Sequence, residues 1–274
     1  YSSLYYNTTG NYNAAIGREC LFSNTTGAQN QAFGYFTMRQ NTTGNYNTAL
    51  GIYALRNNTT GSNSVAVGKG ALTSNTTSNN NTANGYQALY SNTTGTHNDV
   101  FGYNAMYDNT TGGDNSALGS YALQNNTTGS RNISIGYASS NENTTGTKNV
   151  AVGMYALKSN TVNHYNTAIG YAALQSSDAY DNTAVGYYAM LSNIGGDYNT
   201  AVGSWALSSN TTGSHNVAFG QATLGNNTSG STNTAFGKEA LRSNTTASAN
   251  TATGYSALYT NTTGYHNTAL GYMS

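Results

Sequence analysis

The chain has 274 residues, nine Lys and Arg, nine Asp and Glu, and a net charge of zero. With only 7% charged residues and one Cys, it offers no basic stripe for nucleic acid, no polybasic patch for a lipid surface and no internal disulfide. No apolar run approaches the ~18 residues of a membrane span, so neither nucleic acid nor a membrane span is an expected partner.

One glycine recurs through the whole chain, from Gly17, Gly34 and Gly51 to Gly237, Gly254 and Gly271. Every interval is 17 residues except Gly170 to Gly186, which is 16. Such a period marks a repeat architecture. With this glycine as slot 5, the repeat reads N-T-A-V-G-Y-x-A-L-x-S-N-T-T-G-x-x. We expect residues 1–274 to be one continuous array of sixteen repeats, an excerpt of a longer fibre protein.

Taken in order, slots 1–5 predict a first strand. Asn fills slot 1 in fifteen of sixteen copies, Ala fills slot 3 in fourteen, and slot 4 is Ile, Leu, Val or Phe in fourteen. Slots 7–10 predict a second strand, with Leu or Met at slot 9 in fourteen of fifteen copies. S-N-T-T-G then predicts a polar turn whose slot-15 glycine takes a positive φ. Gly, Asn and Thr-Thr at fixed places disfavour helix. The fold class expected is all-β, a parallel β-solenoid with one 17-residue coil per repeat. Because side chains alternate along a strand, slot 4 faces away from slots 3 and 5. The bulky slot-4 and slot-9 columns are expected to form the core. The small slots 3 and 5 then admit another chain, or else serve a tightly flattened coil. Two bulky side chains per coil make a thin core. Such a core offsets little of the backbone entropy lost in ordering a coil, so association with other copies is expected.

Asn63-Ser64-Val65-Ala66-Val67-Gly68, Asn149-Val150-Ala151-Val152-Gly153 and Asn216-Val217-Ala218-Phe219-Gly220 resemble the N-S-V-A-I-G repeats in heads of YadA-like trimeric autotransporter adhesins. The fuller unit is similar to arrays in tail-fibre-like surface proteins. The resemblance covers essentially the whole chain. It implies a left-handed, usually trimeric β-roll in an extracellular or cell-surface fibre or adhesin. The expected partners are therefore other copies, as a homotrimer or an end-to-end filament, together with host or environmental glycans. The unit here is longer than the adhesin unit in its S-N-T-T-G turn.

No acid–base pair recurs, and no nucleophile, zinc or phosphate-loop motif is present, so catalytic residues, metal ligands and resident cofactors are not expected. The turn carries N-x-S/T, the acceptor triplet for N-linked glycans. Candidate attachment sites are Asn7, Asn24, Asn41, Asn58, Asn75, Asn92, Asn109, Asn126, Asn143, Asn210, Asn227, Asn244 and Asn261. Covalent sugar is one reading of these triplets, and a stacked Asn or Thr hydrogen-bond ladder is the other. Tyr at slot 6 in eight copies, Tyr35 and Tyr86 among them, suits lateral packing or sugar stacking. Three successive turns lose the triplet, at Asn160-Thr161-Val162, Ser177-Asp178-Ala179 and Asn193-Ile194-Gly195. They gather His164, Tyr165, Asp178, Tyr180, Asp181, Asp197 and Tyr198, a recognition patch, a weak cation site or drift among redundant copies. The function expected is a structural fibre shaft. The alternative is a ligand-binding solenoid with a sugar-binding face or, less favoured, an ice-binding one.

Overall fold

The computed structural model describes residues 2–274. The chain divides into two compact units, one ending at Ile135 and the other running from Gly136 to Ser274. Both are built alike. Eight three-residue strands run from β1 (Ala14–Ile16) to β8 (Ile133–Ile135) in the first unit, and eight from β9 (Val150–Val152) to β16 (Thr268–Leu270) in the second. Consecutive strands within a unit pair in parallel, slot for slot, as Ala49 with Ala66 and Ala201 with Ala218. Each repeat is thus one coil, and the parallel β-solenoid expected from the period is the fold observed. Among the described residues there is no helix. The 16-residue repeat keeps register, with Thr167 opposite Thr183, so its missing residue is absorbed in the turn.

The core differs from expectation in one column. Slot 9 is interior as predicted, with Leu55, Leu72, Leu157 and Leu207 fully buried. Slot 4 is not: Ile16 is 65% exposed and Leu50 is 50% exposed, while Ala32, Ala49 and Ala66 of slot 3 are fully buried. Strand alternation was read correctly, but the inward face is the small one. The flattened coil leaves room opposite the slot-9 Leu for a methyl group and little more. Slot 8 is interior as well, and Cys20 fills it in the first full coil as a small buried residue whose thiol pKa is pushed up by burial.

The second predicted strand does not form. Slots 7 and 9 take left-handed backbone, as at Tyr155 (φ +60°) and Leu157 (φ +52°), while slot 8 between them does not. This alternation puts Ala156 and Leu157 side by side in the core, where a pleated strand would turn one of them outward. The left-handed conformation costs roughly 1–2 kcal/mol per residue. Burying a Leu recovers about 1.5–3 kcal/mol, and hydrogen bonds between coils persist, as from Leu157 N–H to Ala173 C=O at 2.9 Å. The slot-15 glycines are also not at positive φ. A Cβ on Gly112 would lie 2.3 Å from the Gly129 carbonyl oxygen and 2.6 Å from Asn109 Oδ1, so close packing selects them.

Leu157→Asp should therefore unfold its unit or lower its stability by about 5 kcal/mol or more, the sum of a lost core side chain and a buried charge. Thr93→Ala removes only a hydroxyl that donates to the Thr110 carbonyl at 3.0 Å, a loss of about 0.5–1.5 kcal/mol. Chemical denaturation of the two variants checks the slot assignment, and equal losses would overturn it.

Candidate functional site

Beyond the Leu column each coil carries a polar, sealed segment at slots 12–15. Asn24, Asn41, Asn58, Asn75, Asn92, Asn109 and Asn126 are fully buried. Each donates Nδ2 to Oδ1 of the slot-12 Asn one coil earlier; Asn109 reaches Asn92 at 2.8 Å and Asn126 reaches Asn109 at 2.8 Å. The second hydrogen of the same amide goes to the slot-15 carbonyl of its own turn, as from Asn109 to Gly112 at 3.0 Å. Slot 1 converges on that carbonyl from the other side, with Asn98 Nδ2 2.9 Å from Gly112 O. Oδ1 of Asn98 accepts the backbone N–H of Asn115 in the next coil at 3.2 Å. Two asparagines thus clamp each coil shut and tie it to its neighbours. A buried amide is stable only when its donors and acceptors are matched, and here the stacking of like on like matches them.

The candidate acceptor asparagines, open to sugar or to a stacked ladder on sequence alone, lie in this ladder. In the second unit Asn143, Asn210, Asn227 and Asn244 are buried in the same way, each donating to its slot-15 carbonyl. Asn7 and Asn261 are half-buried and make the same bond, to Gly10 at 3.0 Å and to Gly264 at 2.8 Å. An N-linked glycan is attached through this amide nitrogen, which in all thirteen candidates is already engaged and in eleven is interior. The hydrogen-bonded ladder is the arrangement present. The exposed side chain of the triplet is the slot-14 Thr, such as Thr111. The role of the slot-1 Asn was not anticipated, although its near-invariance at a strand start was the available signal.

The irregular coils interrupt the ladder. Ser177 replaces Asn, and both its hydroxyl and Oδ1 of Asn160 are buried without a partner. Asp178 receives a hydrogen bond from Asn163 at 2.5 Å, and Asp197 accepts the Tyr180 backbone N–H at 2.8 Å. The latter position is an ordinary structural one: slot-16 side chains elsewhere accept the same bond, as Ser231 does from Ser214 N–H at 3.0 Å. His164 serves likewise, with Nδ1 2.9 Å from Thr147 N–H. Tyr165 stacks under Lys148, and Tyr198 against His215 with ring centroids 5.1 Å apart. Asp178 and Asp197 are each taken up in a local hydrogen bond, and no group of three metal-ligating side chains is brought together among the described residues.

Two surfaces remain. The first is the outward sheet face, made of slots 2 and 4. Its exposed apolar members include Phe101, Leu118, Phe219 and Phe236, the last two stacked at 5.1 Å. Asp99 is the sole charged residue in the sixteen strands. Thr does recur here at slot 2, as Thr167, Thr183 and Thr200, but bulky Ile and Phe at slot 4 break the regular Thr lattice that ice binding requires. The second surface carries slots 6, 7 and 10. Tyr86 stacks on Tyr103 at 5.1 Å and 9°, and Tyr171 on Tyr187 at 5.5 Å and 18°. Rings stacked on each other present edges to solvent, which favours lateral packing over a sugar platform. In the first unit Arg39 lies over Phe22 and Phe36 and donates to Glu19 at 2.7 Å, holding that carboxyl below its usual range.

Compared with models of known protein families, the chain matches none, and compared with curated proteins it also matches none. Among the described residues no helix is long and apolar enough to cross a membrane.

Proposed function

We propose that the chain is a structural shaft of an extracellular fibre, assembled with further copies through its outward sheet face. The observation that carries this reading is the division of labour within the coil. Slots 1, 3, 5, 9 and 12, which are buried or pack backbone on backbone, hardly vary, whereas slots 6, 7, 10, 16 and 17 change freely. Identical coils held by the same clamp make length, and length is what a shaft supplies. The resemblance to adhesin and tail-fibre repeats supports the extracellular setting. Antibody raised against the chain should decorate filaments on intact cells of its source. Labelling only after lysis would overturn the reading.

The face of slots 2 and 4 supports self-association. It is nearly uncharged, apolar along one column, and repeats once per coil, about 4.8 Å. A partner with the same period stays in register along such a strip, and a second copy of the chain has that period. Apolar, charge-poor surface of this kind marks an interface. Light scattering should show a homo-oligomer, and Phe219→Glu with Phe236→Glu should yield monomers with unchanged circular dichroism. A monomeric parent chain, or an oligomer indifferent to both substitutions, would sink this interface.

A further inference from the structure

The geometry points to the stacked tyrosines as sites of oxidative coil-to-coil cross-linking, in which adjacent phenols couple to dityrosine. Parallel, in-register stacking places like slots over like slots. Four Tyr pairs exploit this: Tyr86–Tyr103 (5.1 Å, 9°), Tyr90–Tyr107 (5.1 Å, 4°), Tyr171–Tyr187 (5.5 Å, 18°) and Tyr255–Tyr272 (5.3 Å, 13°). In each the rings are nearly parallel and belong to like slots of successive coils, which brings the two phenols side by side for ortho–ortho coupling. Tyr86, Tyr103, Tyr171, Tyr187, Tyr255 and Tyr272 are all exposed and so open to a diffusing oxidant.

The oxidant is hydrogen peroxide used by a haem peroxidase, a one-electron chemistry. Each phenol loses an electron and a proton to give a phenoxyl radical with spin on its ortho carbons. Two such radicals form one ortho–ortho C–C bond. The two hydrogens on the joined carbons then move to the oxygens and restore both rings. Two tyrosines and one peroxide give one dityrosine and two waters; the peroxide is reduced and the protein loses two hydrogens. Selectivity follows from stacking. Tyr12, Tyr46 and Tyr265 are exposed too but have no Tyr stacked on them, while Tyr103–Tyr121 and Tyr137–Tyr155 meet edge-on at 72° and 82°. The product is a covalent tie between successive coils, which otherwise share a thin core and hydrogen bonds alone. It joins residues of one chain and so does not depend on the fibre assignment.

The test treats the full folded chain with haem peroxidase and limiting hydrogen peroxide, then digests it for mass spectrometry. Peptides joining Tyr86 to Tyr103 and Tyr171 to Tyr187, lighter by two hydrogens, should appear first. Tyr103→Phe should abolish the first link and leave the second, with circular dichroism unchanged. In denaturant the preference should vanish. Native-state links scattered over Tyr12, Tyr46 and Tyr265 as in denaturant, or links only between chains, would overturn the proposal.

Discussion

Asn109→Asp should lower stability by about 4–6 kcal/mol at pH 7, with most of that loss recovered near pH 3.5. The substitution is nearly isosteric, so the effect isolates hydrogen-bond polarity. Asn109 Nδ2 donates to two oxygens, Oδ1 of Asn92 and the Gly112 carbonyl. An ionised carboxylate there would face both acceptors with no donor. The folded chain must therefore hold the carboxyl neutral, which raises its pKa above the unfolded value of about 3.9. A raised folded pKa leaves stability intact below the unfolded pKa and removes it as pH rises. Keeping the group protonated at pH 7 costs about 1.36 kcal/mol for each unit above 3.9. The protonated acid still lacks one of the two donors, a residual loss of about 0.5–1.5 kcal/mol at any pH. Thr111→Asp, two residues away on the exposed side of the same turn, should stay within about 0.5 kcal/mol. Denaturant unfolding of both variants at the two pH values checks this. A loss at Asn109 that ignores pH, or matches Thr111, would mean the ladder amide is open to water.

That experiment bears on the point where sequence reasoning was weakest. The letters N-T-T serve a glycan acceptor and a buried amide ladder equally well, and a triplet copied in nearly every repeat multiplies one ambiguous observation. A discriminating signal was present. Slots 1 and 12 take Ser64 and Ser177 as exceptions but never Asp, whereas slots 16 and 17 accept Asp114, Asp181 and Asp197. Asp and Asn are near equivalents in an exposed turn. A position that tolerates Ser but not Asp needs an amide donor away from water.

The period, the parallel stacking and the slot-9 core were legible because each follows from recurrence alone. Which face of the strand points inward was not. Alternation fixes slot 3 against slot 4 but leaves the sign to the width of the coil, and that width depends on slots 7–10. There the adjacent Ala-Leu pair, as in Ala156-Leu157, already conflicts with a pleated strand, since a strand cannot bury both. The structure resolves the conflict with left-handed backbone at slots 7 and 9 in residues that are mostly not Gly. Gly70 is the one slot-7 glycine that advertises it. Propensity gives no hint of a left-handed Leu, and only the summed hydrogen bonds of a stacked coil hold one there.

Gly102→Ala should destabilise the first unit by about 3–5 kcal/mol, whereas Gly112→Ala should cost less than about 2 kcal/mol. By proximity the two look alike. A Cβ on Gly102 would lie 2.4 Å from the Gly119 carbonyl oxygen and 2.6 Å from its carbon; one on Gly112 would lie 2.3 Å from the Gly129 oxygen and 2.6 Å from Asn109 Oδ1. What separates them is what can move. At Gly102 both obstructing atoms are backbone, and the coil spacing is fixed on either side by Gly102 N–H to Asn84 at 2.9 Å and Gly119 N–H to Phe101 at 2.8 Å. Its φ of +145° is also one that L residues rarely adopt. At Gly112 the nearer obstruction is a backbone oxygen too, but the second is a side-chain amide and the backbone φ is ordinary. The chain has made the second substitution itself: Ser78, Asn163, Ala179 and Ala247 occupy slot 15, while slot 5 is Gly in all sixteen coils. Equilibrium unfolding with amide exchange across Asn84–Ser120 would show the Gly102 loss as ladder bonds opened on both flanks. Equal losses from the two variants would mean that coil spacing yields as easily as a side chain, and that the invariance of slot 5 reflects something other than backbone contact.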